Sequence, residues 1–322
     1  MLRSGNLQKI VCTFDLVHHS RNWAETLMSH TIRKAIFPVA GLGTRLLPAT
    51  KSIPKEMLPI VDRPIIEYAV AEATTAGITH LIFVNSRGKS ALEDHFDRHV
   101  ELEEALMQKG KTAELHRLTD IIPTGVCWSV VRQSEALGLG HAVWCARHLI
   151  GNEPFAVLLP DDVIMADTPC LQQMMDRHRE VGGNLVAVEN VPANQTNRYG
   201  ILDAGADDER PDGLVEVHGL VEKPRPEYAP STLSIIGRYI LQPNVFDALE
   251  SSKKGVGGEI QLTDAMAALI DHQPFHGYRF DGVRYDCGDR LGWLKANVAF
   301  ALRRSDLLDV RAALQDILSQ SS

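Results

Sequence analysis

Residues 32–59 read IRKAIFPVAGLGTRLLPATKSIPKEMLP. The stretch opens with a short apolar run, typical of a buried β-strand, and glycines at positions 41 and 43 follow it at once. Three cations come next, at Arg45, Lys51 and Lys55. Glycines allow backbone N–H groups to approach an anion closely, and cations neutralise it. The order strand, glycine turn and cations therefore predicts a phosphate site at the end of a strand.

Two common phosphate motifs do not match this stretch. The Walker pattern GxxxxGK[ST] is absent, and Leu46 stands where the dinucleotide motif GxGxxG has its third glycine. In both motifs a helix also begins at once, whereas Pro48 and Pro54 keep this chain irregular. A loop of that length in a compact domain is usually functional.

Outward from the loop, the pattern alternates between strands and helices. Segment 64–77 places apolar residues at helical spacing, with Pro64 in its first turn and Gly77 at its end. Short apolar runs recur at HLIFVN, VCWSVV, FAVLLP and NLVAVENV, and we predict one long charged helix over residues 89–108. Strands spaced by helices indicate an α/β fold, Rossmann-like, with a mostly parallel, mixed central sheet flanked by helices.

The pattern changes after residue 198, where strands dominate, and again after residue 288, where helices follow. We predict a catalytic domain over 31–304, with one lobe over about 31–190 and a smaller β lobe over about 191–288. Helices over 289–322 close the chain. Residues 1–30 are predicted to be an N-terminal extension that is either disordered or the result of a misassigned start.

Composition narrows the class of partner. The 322 residues include 44% apolar and 23% charged residues, and the net charge of −8 disfavours a nucleic-acid partner. Five scattered cysteines without a CxxC pair favour a reducing cytoplasm over a disulfide framework. No apolar run has the length of a membrane span.

Acidic residues follow another apolar run. Asp161 and Asp162 end LLPDD, at what we predict is the C-terminal end of a strand, where α/β sheets bind ligands. Carboxylate oxygens suit Mg²⁺. A turn or cap role stays open for each acid, and it is the favoured interpretation for Asp162.

Several motifs in order resemble one family. GLGTRLLPATKSIPKEMLP is similar to the signature of the sugar-nucleotide pyrophosphorylases, and VRQ…GLGHA, LLPDD, YGI, VEKP, IIGRYIL, GEIQLTDA and DCG follow in that family's order. The resemblance covers about residues 32–304, and among the family it is nearest to bacterial enzymes that use UTP and glucose 1-phosphate. It implies Mg²⁺-dependent formation of UDP-glucose and pyrophosphate from these small molecules.

The resemblance also implies roles for individual residues. Arg45, Lys55 and Lys223 are the catalytic cations, and Asp161 and Asp286 are the metal ligands. The nucleotide-binding residues are Ala40, Gly41, Gly43, Thr44, Glu56, Gln133 and Gly138. The sugar-binding residues are Tyr199, Gly200, Glu222, Lys223, Gly237 and Glu259, with a helix-cap role left open for Glu259.

Adjacent Glu222 and Lys223 can reach one ligand only if the strand ends there, which Pro224 favours. His141 is expected to be positional rather than a ligand.

Other functions stay open at this point. A thymidylyl- or cytidylyltransferase shares the same chemistry, a glycosyltransferase would not need the cation loop, and a non-catalytic regulatory paralogue would have lost charged positions. A homodimer or homotetramer is expected from the resemblance.

Overall fold

The computed structural model describes residues 31–204 and 210–320. The chain divides into two compact units, residues 1–31 and 32–322. The predicted N-terminal extension over residues 1–30 lies outside the described residues. The helices and strands named below all belong to the second unit.

A nine-stranded mixed sheet forms the centre of the molecule, in the order β5-β4-β1-β6-β11-β8-β12-β10-β9. Its strands are β1 Lys34–Pro38, β4 His80–Asn85, β5 Cys127–Arg132, β6 Phe155–Leu158, β8 Asn184–Asn190, β9 Gly200–Ala204, β10 Leu214–Glu222, β11 Leu233–Leu241 and β12 Phe275–Arg279. β5, β4, β1 and β6 are mutually parallel, whereas β11 runs antiparallel to both β6 and β8. The predicted α/β mixed sheet is confirmed.

Helices cover both faces of this sheet. They are α1 Ile65–Thr75, α2 Ser90–Phe96, α3 Val100–Gln108, α4 Thr112–Thr119, α5 Leu139–Cys145, α6 Arg147–Ile150, α7 Cys170–Val181, α8 Val245–Ser251, α9 Leu262–Ala267, α10 Arg290–Arg303 and α11 Val310–Gln320. The last two form the predicted helical C-terminus.

Alternation along β1 explains why the sheet needs cover on both faces. Ile36 packs into one core with α5, α8 and α9, whereas Ala35 and Phe37 pack into another with α1 and α7. All three side chains are fully buried. Successive strand residues point to opposite faces, so a strand buried on both sides is a continuous apolar run.

Two small ribbons lie beside the main sheet. β2 Pro59–Ile60 pairs with β3 Arg63–Pro64, and β7 Asp162–Met165 pairs antiparallel with β13 Val283–Asp286. The sequence patterns did not predict β7, because LLPDD looks like the end of a strand. The chain instead turns at Asp161 and starts a second strand.

The predicted helix over residues 89–108 is wrong as one element. Asp97 is extended (φ −85°, ψ 166°), and its side chain accepts a hydrogen bond from the backbone N–H of Arg98. His99 then caps α3 by accepting from Leu102 N–H. These local side-chain bonds compete with the helix, which explains the break.

No helix among the residues with described structure is both long and apolar enough to span a membrane.

Candidate active site

The glycine loop after β1 folds back on itself. Gly43 has φ +66°, and Thr50 Oγ1 donates to its carbonyl oxygen over 2.7 Å. A methyl group on Gly43 would lie 3.3 Å from Cβ of both Lys55 and Thr50. Glycine is favoured here by its left-handed backbone and by this tight approach, which brings the loop against Lys55.

Lys55 joins the loop after β1 to an acid after the neighbouring strand β6. Its Nζ lies 2.5 Å from Oδ2 of Asp161. Burial alone would lower the pKa of Lys55, but Asp161 and Glu56 outweigh it and raise that pKa. Burial opposes ionisation of Asp161, yet Lys55 holds the pKa of this carboxyl below its usual range. Both groups are therefore charged at neutral pH.

Glu56 supports the loop from inside. It is 1% exposed, and its Oε2 accepts from Lys89 Nζ over 3.1 Å, while Lys89 also donates to the carbonyl of Val39. Its Oε1 is buried without a hydrogen-bond partner among the described residues. Burial raises the pKa of Glu56 and lowers that of Lys89. Glu56 also lines the cleft described below, but its carboxylate binds Lys89 beneath the loop.

The ribbon of β7 and β13 brings the two predicted metal ligands together. It pairs Asp286 with Asp162, and the N–H of Cys287 donates to the carbonyl of Asp161 over 2.7 Å. A methyl group on Gly288 would lie 2.9 Å from Oδ1 of Asp286 and 3.0 Å from Oδ2 of Asp161. The two carboxylates therefore converge on one small space.

Asp162 has a different environment from Asp161. Its carboxylate is buried, where Oδ1 accepts from Arg284 Nε over 2.6 Å and Oδ2 accepts from Gly237 N–H over 2.9 Å. Arg284 also contacts Glu189 Oε1 at 2.5 Å. A methyl group on Gly237 would lie 2.6 Å from Asp162 Oδ2. Asp162 thus anchors the ribbon, a structural role other than the turn or cap that the sequence favoured.

One end of the cleft is formed by β5 and α5. Gln133 follows β5, and its Nε2 donates to the carbonyl of Gly138 over 3.0 Å. Gly138 has φ +96° and lies against Glu259, whose Cβ would be 2.6 Å from a methyl group there. The structure therefore places Glu259, predicted in the sugar site, beside two residues predicted to hold the nucleotide.

The remaining predicted sugar residues, except Gly237, lie together where β10 ends. β10 ends at Glu222, and Lys223 has φ +47°, so the predicted bend is present. Lys223 Nζ lies 2.8 Å from Oε1 of Glu222, and Thr263 Oγ1 donates to Oε2 over 2.7 Å. The N–H of Lys223 donates to the carbonyl of Tyr199 over 2.9 Å. A methyl group on Gly200 would lie 3.3 Å from Oε2 of Glu222, so Gly200 packs closely against this carboxylate.

Arginines link this end to the acids. Arg198 Nη2 lies 3.1 Å from Oδ2 of Asp286 and 3.1 Å from Oδ2 of Asp289. The guanidinium of Arg284 lies 5.2 Å from the ring centroid of Tyr199. Arg45 is exposed, and its Nη1 would lie 3.9 Å from a methyl group on Gly288, beside the paired acids.

A cleft of about 440 Å³ connects the glycine loop to the β5–α5 end. Its lining contains Lys55, Asp161, Glu259 and all seven predicted nucleotide-binding residues: Ala40, Gly41, Gly43, Thr44, Glu56, Gln133 and Gly138. Glycine backbone, a lysine and a carboxylate therefore face one space that is large enough for part of a nucleotide.

Comparison with known proteins adds independent information. The family model described as nucleotidyl transferase matches residues 34–301. The chain belongs to the nucleotidyl transferase family. A UTP–glucose-1-phosphate uridylyltransferase of Komagataeibacter xylinus is 54% identical over 266 residues, which cover 82% of this chain and 92% of that protein. One from Bacillus subtilis is 48% identical over 284 residues, covering 86% and 94%.

Solved structures of this nucleotidyl transferase family agree. A UTP-bound UDP-glucose pyrophosphorylase of Acinetobacter baumannii superposes with a TM-score of 0.82 at 43% identity, covering 89% of this chain and 99% of that one. A UDP-glucose pyrophosphorylase complexed with UDP-glucose has a TM-score of 0.75 at 42% identity, covering 85% and 100%.

The donors present fit a hard divalent cation. Asp161 and Asp286 supply converging carboxylate oxygens, and burial and the nearby Asp162 raise the pKa of Asp286, which a cation would offset. Among the described residues there is no cluster of three or more His, Cys, Asp or Glu side chains that could hold a metal. Two carboxylates completed by substrate phosphates is the usual arrangement for Mg²⁺ in nucleotide enzymes.

Sequence reasoning missed four supporting residues of this nucleotidyl transferase site: Lys89, Arg198, Thr263 and Arg284. Arg284 had a readable signal, because it precedes Asp286 by two residues and therefore shares a strand face with it. Lys89, Arg198 and Thr263 are distant in sequence from their partners and carry no such signal.

Proposed function

We propose that this chain transfers a uridylyl group from UTP to glucose 1-phosphate, giving UDP-glucose and pyrophosphate. The observation that carries the proposal is the meeting of Lys55, from the glycine loop, with Asp161, next to Asp286, at one edge of the sheet. The relatives named as uridylyltransferases and the UTP- and UDP-glucose-bound structures support the choice of substrates.

The reaction needs no nucleophile from the protein. A phosphate oxygen of glucose 1-phosphate attacks the α-phosphorus of UTP, and the bond from that phosphorus to the bridging oxygen of the β-phosphate breaks. The bonding electron pair leaves with pyrophosphate. The attacking oxygen is already ionised, so no proton has to be removed. The work of the protein is to hold two anions in line and to stabilise charge in the transition state.

Cations of the chain perform that work. Lys55 offsets the charge that develops at the α-phosphate, and Arg45, exposed beside the acids, holds the β- and γ-phosphates that leave. Lys223 pairs with the phosphate of the sugar substrate. Lys55 and Lys223 contact Asp161 and Glu222. These carboxylates restrain the position of each ammonium group.

Asp161 and Asp286 would hold Mg²⁺ through their carboxylate oxygens. The ion, when bound, would supply further neutralisation of the triphosphate charge. Lys55 and Arg198 contact the same carboxylates, so they balance the acidic charge of the site.

Backbone and amide groups place the substrates. Ala40, Gly41, Gly43 and Thr44 present the loop to the phosphates, and Glu56 supports it. Gln133 and Gly138 contact the base. Tyr199, Gly200, Glu222 and Gly237 surround the glucose, and Glu259 remains a proposed member of that set although it borders Gly138.

Location and assembly are part of the proposal. A reducing cytoplasm is supported by the four described cysteines, Cys127, Cys145, Cys170 and Cys287, which are free thiols. A homodimer or homotetramer is supported by the exposed leucines of α10, Leu291 and Leu294. Sedimentation of the purified protein at several concentrations tests the assembly.

One assay tests the proposed reaction. Purified protein is incubated with glucose 1-phosphate, MgCl₂ and either UTP, dTTP, CTP or ATP, and pyrophosphate release is followed. We expect release with UTP, abolished by EDTA and by omission of the sugar phosphate. Preferred use of dTTP or CTP, or release without the sugar phosphate, would refute the assignment.

A further inference from the structure

The amide of Gln133 is held by two groups on α5 and the loop before it. Its Nε2 donates to the carbonyl of Gly138 over 3.0 Å and lies 3.1 Å from Nδ1 of His141. Gln133 is 7% exposed and borders the nucleotide cleft. We infer that His141 is a positioning residue: it fixes the orientation of this amide and thereby makes the cleft select a base that donates at its ring nitrogen. This inference rests on the proposed function.

The carbonyl of Gly138 decides which way the amide points. A backbone carbonyl can only accept a hydrogen bond, so the group facing it must be the amide NH₂ and not its oxygen. The first of the two amide hydrogens is used there. The second faces His141, whose Nδ1 must therefore accept. A neutral imidazole accepts at one nitrogen and carries its proton on the other.

The rest of the imidazole is placed to keep that tautomer. His141 Nε2, which carries the proton, lies 3.8 Å from Sγ of Cys145, a weak acceptor one helical turn later. The ring of His141 stacks on Trp144 with centroids 5.9 Å apart and 21° between planes. The guanidinium of Arg147 covers the Trp144 ring at 3.4 Å. Contacts within α5 and with the first residue of α6 thus restrain the imidazole.

The consequence is that only Oε1 of Gln133 remains for a ligand. Wherever the chain is described, no protein group donates a hydrogen bond to this oxygen, so the cleft presents an acceptor. Uracil and thymine carry an N–H donor at N3, between two carbonyls, whereas cytosine carries a lone pair at N3. A fixed acceptor therefore favours uracil, whose N3–H can donate to it. It rejects cytosine, because the lone pairs of Oε1 and of cytosine N3 would face each other. An amide that was free to rotate would present either its oxygen or its NH₂ group to the base.

Equilibrium binding tests the inference without turnover. Calorimetry with UTP and with CTP, at fixed MgCl₂ and without sugar phosphate, yields the ratio of their Kd values for each variant. His141→Leu removes the acceptor, so we expect the CTP:UTP ratio to fall about 5–30-fold, the worth of one buried hydrogen bond. His141→Asn restores an acceptor near the position of Nδ1 and should keep the ratio within about threefold of wild type.

A matched control uses another half-buried histidine. His80 bonds Ser129 Oγ at 2.9 Å, away from the cleft lining, so His80→Leu should leave the ratio unchanged. An unchanged ratio in His141→Leu, or an equal fall in His141→Asn, overturns the inference.

The tautomer supplies a second readout that does not depend on a folded His141→Leu protein. Long-range ¹H–¹⁵N spectra of the wild type should show His141 as the neutral Nε2–H form, assigned by its loss in His141→Asn. An Nδ1–H or doubly protonated ring overturns the inference. Selective UTP binding without pyrophosphate release would instead refute the proposed reaction and leave the role of His141 standing, and a wild type that binds neither nucleotide refutes both.

Discussion

At the scale of the residue, Lys223 occupies a backbone conformation that few side chains adopt. Its φ of +47° costs a non-glycine residue about 1–2 kcal/mol. The bend turns Lys223 to the same side as Glu222, with 2.8 Å between Nζ and Oε1. Sequence position alone would put adjacent strand residues on opposite faces. The strained bend at the strand end is therefore what lets both side chains reach one ligand.

Replacing Lys223 should weaken use of the sugar phosphate. Lys223→Ala removes one charge-assisted contact, which is worth roughly 1.5–3 kcal/mol, so kcat/KM for glucose 1-phosphate should fall about 10–150-fold. The KM for UTP should change little. Steady-state kinetics with each substrate varied in turn measures both, and Lys109→Ala, at the exposed end of α3, serves as the control. Near-normal kinetics for the sugar would remove Lys223 from the site.

Replacing Asp161 should act on metal activation. Asp161→Asn keeps the shape of the side chain but loses a carboxylate oxygen that we assign to Mg²⁺. Turnover at low MgCl₂ should fall strongly and recover in part as the concentration rises. The measurement is pyrophosphate release across a MgCl₂ titration, with Asp62→Asn, an acid of the surface pair with Arg304, as control. A Mg²⁺ dependence equal to wild type would refute the assignment.

Glu56 makes a pH-dependent prediction for stability. Burial raises its pKa in the folded chain above the ordinary 4.5, so the folded state binds the proton more tightly than the unfolded state. This contribution is fully present below pH 4.5 and is lost as pH rises through the folded pKa. Glu56→Gln lacks it, so the variant should gain stability relative to wild type across that interval. Urea unfolding of both at several pH values measures the difference, and a pH-independent difference would contradict it.

At the scale of the element, the ribbon of β7 and β13 positions the acids. Neither strand belongs to the main sheet, yet their register places Asp286 opposite Asp162 and so next to Asp161. The buried Arg284 joins the ribbon to β8 through an ion pair with Glu189. Burial raises the pKa of Glu189, and the charge of Arg284 opposes that shift. A ribbon fixed by this ion network holds Asp161 and Asp286 within narrow limits, which the proposed metal site requires.

Removing the arginine should therefore destabilise the fold. Arg284→Met leaves the buried Asp162 and the partly buried Glu189 without their partner, a change that costs about 3–5 kcal/mol. Arg177→Met, in an exposed pair with Glu180, should change the free energy of unfolding by less than about 1 kcal/mol. Urea unfolding followed by circular dichroism compares the two. Equal stabilities for both variants would show that Arg284 does not hold the ribbon.

At the scale of the whole molecule, the chain carries a net negative charge, as do both of its substrates. The net charge of −8 repels a triphosphate at long range, so affinity for this anion depends on local cations and on the proposed metal. Burial and the neighbouring acids raise the pKa of Asp286, so grouping acids at the site opposes their ionisation.

Ligand binding should accordingly stabilise the folded chain. At 100 times its Kd, UTP with MgCl₂ adds about 2.7 kcal/mol, which for a chain of this size raises Tm by about 4 °C. UTP with EDTA should give a clearly smaller shift, since the metal carries part of the contact. Differential scanning fluorimetry measures the shift, and Asp161→Asn should show little difference between MgCl₂ and EDTA. Equal shifts in wild type under both conditions would argue against a metal-bridged nucleotide.

Local chemistry in the sequence was sufficient for the main elements and for many site residues. The apolar runs of β1 and β4 are continuous because both faces are buried, and the glycine turn after β1 is visible in the sequence as Gly41 and Gly43, of which Gly43 takes a positive φ. The ordered motifs around Lys55, Asp161 and Asp286 indicated the family. Helix α1 was predicted from its 3.6-residue period and the glycine that follows it.

Tertiary structure alone decided the rest. The break at Asp97 depends on small local energies that helix propensity does not resolve. Strand β7 and the partners of Glu56 depend on groups that are remote in the chain. The pairings Lys55–Asp161 and Arg284–Asp162 span 106 and 122 positions, and no local pattern encodes them. Local periodicity reports which face of an element is apolar, whereas the charged contacts arise only when packing brings distant segments together.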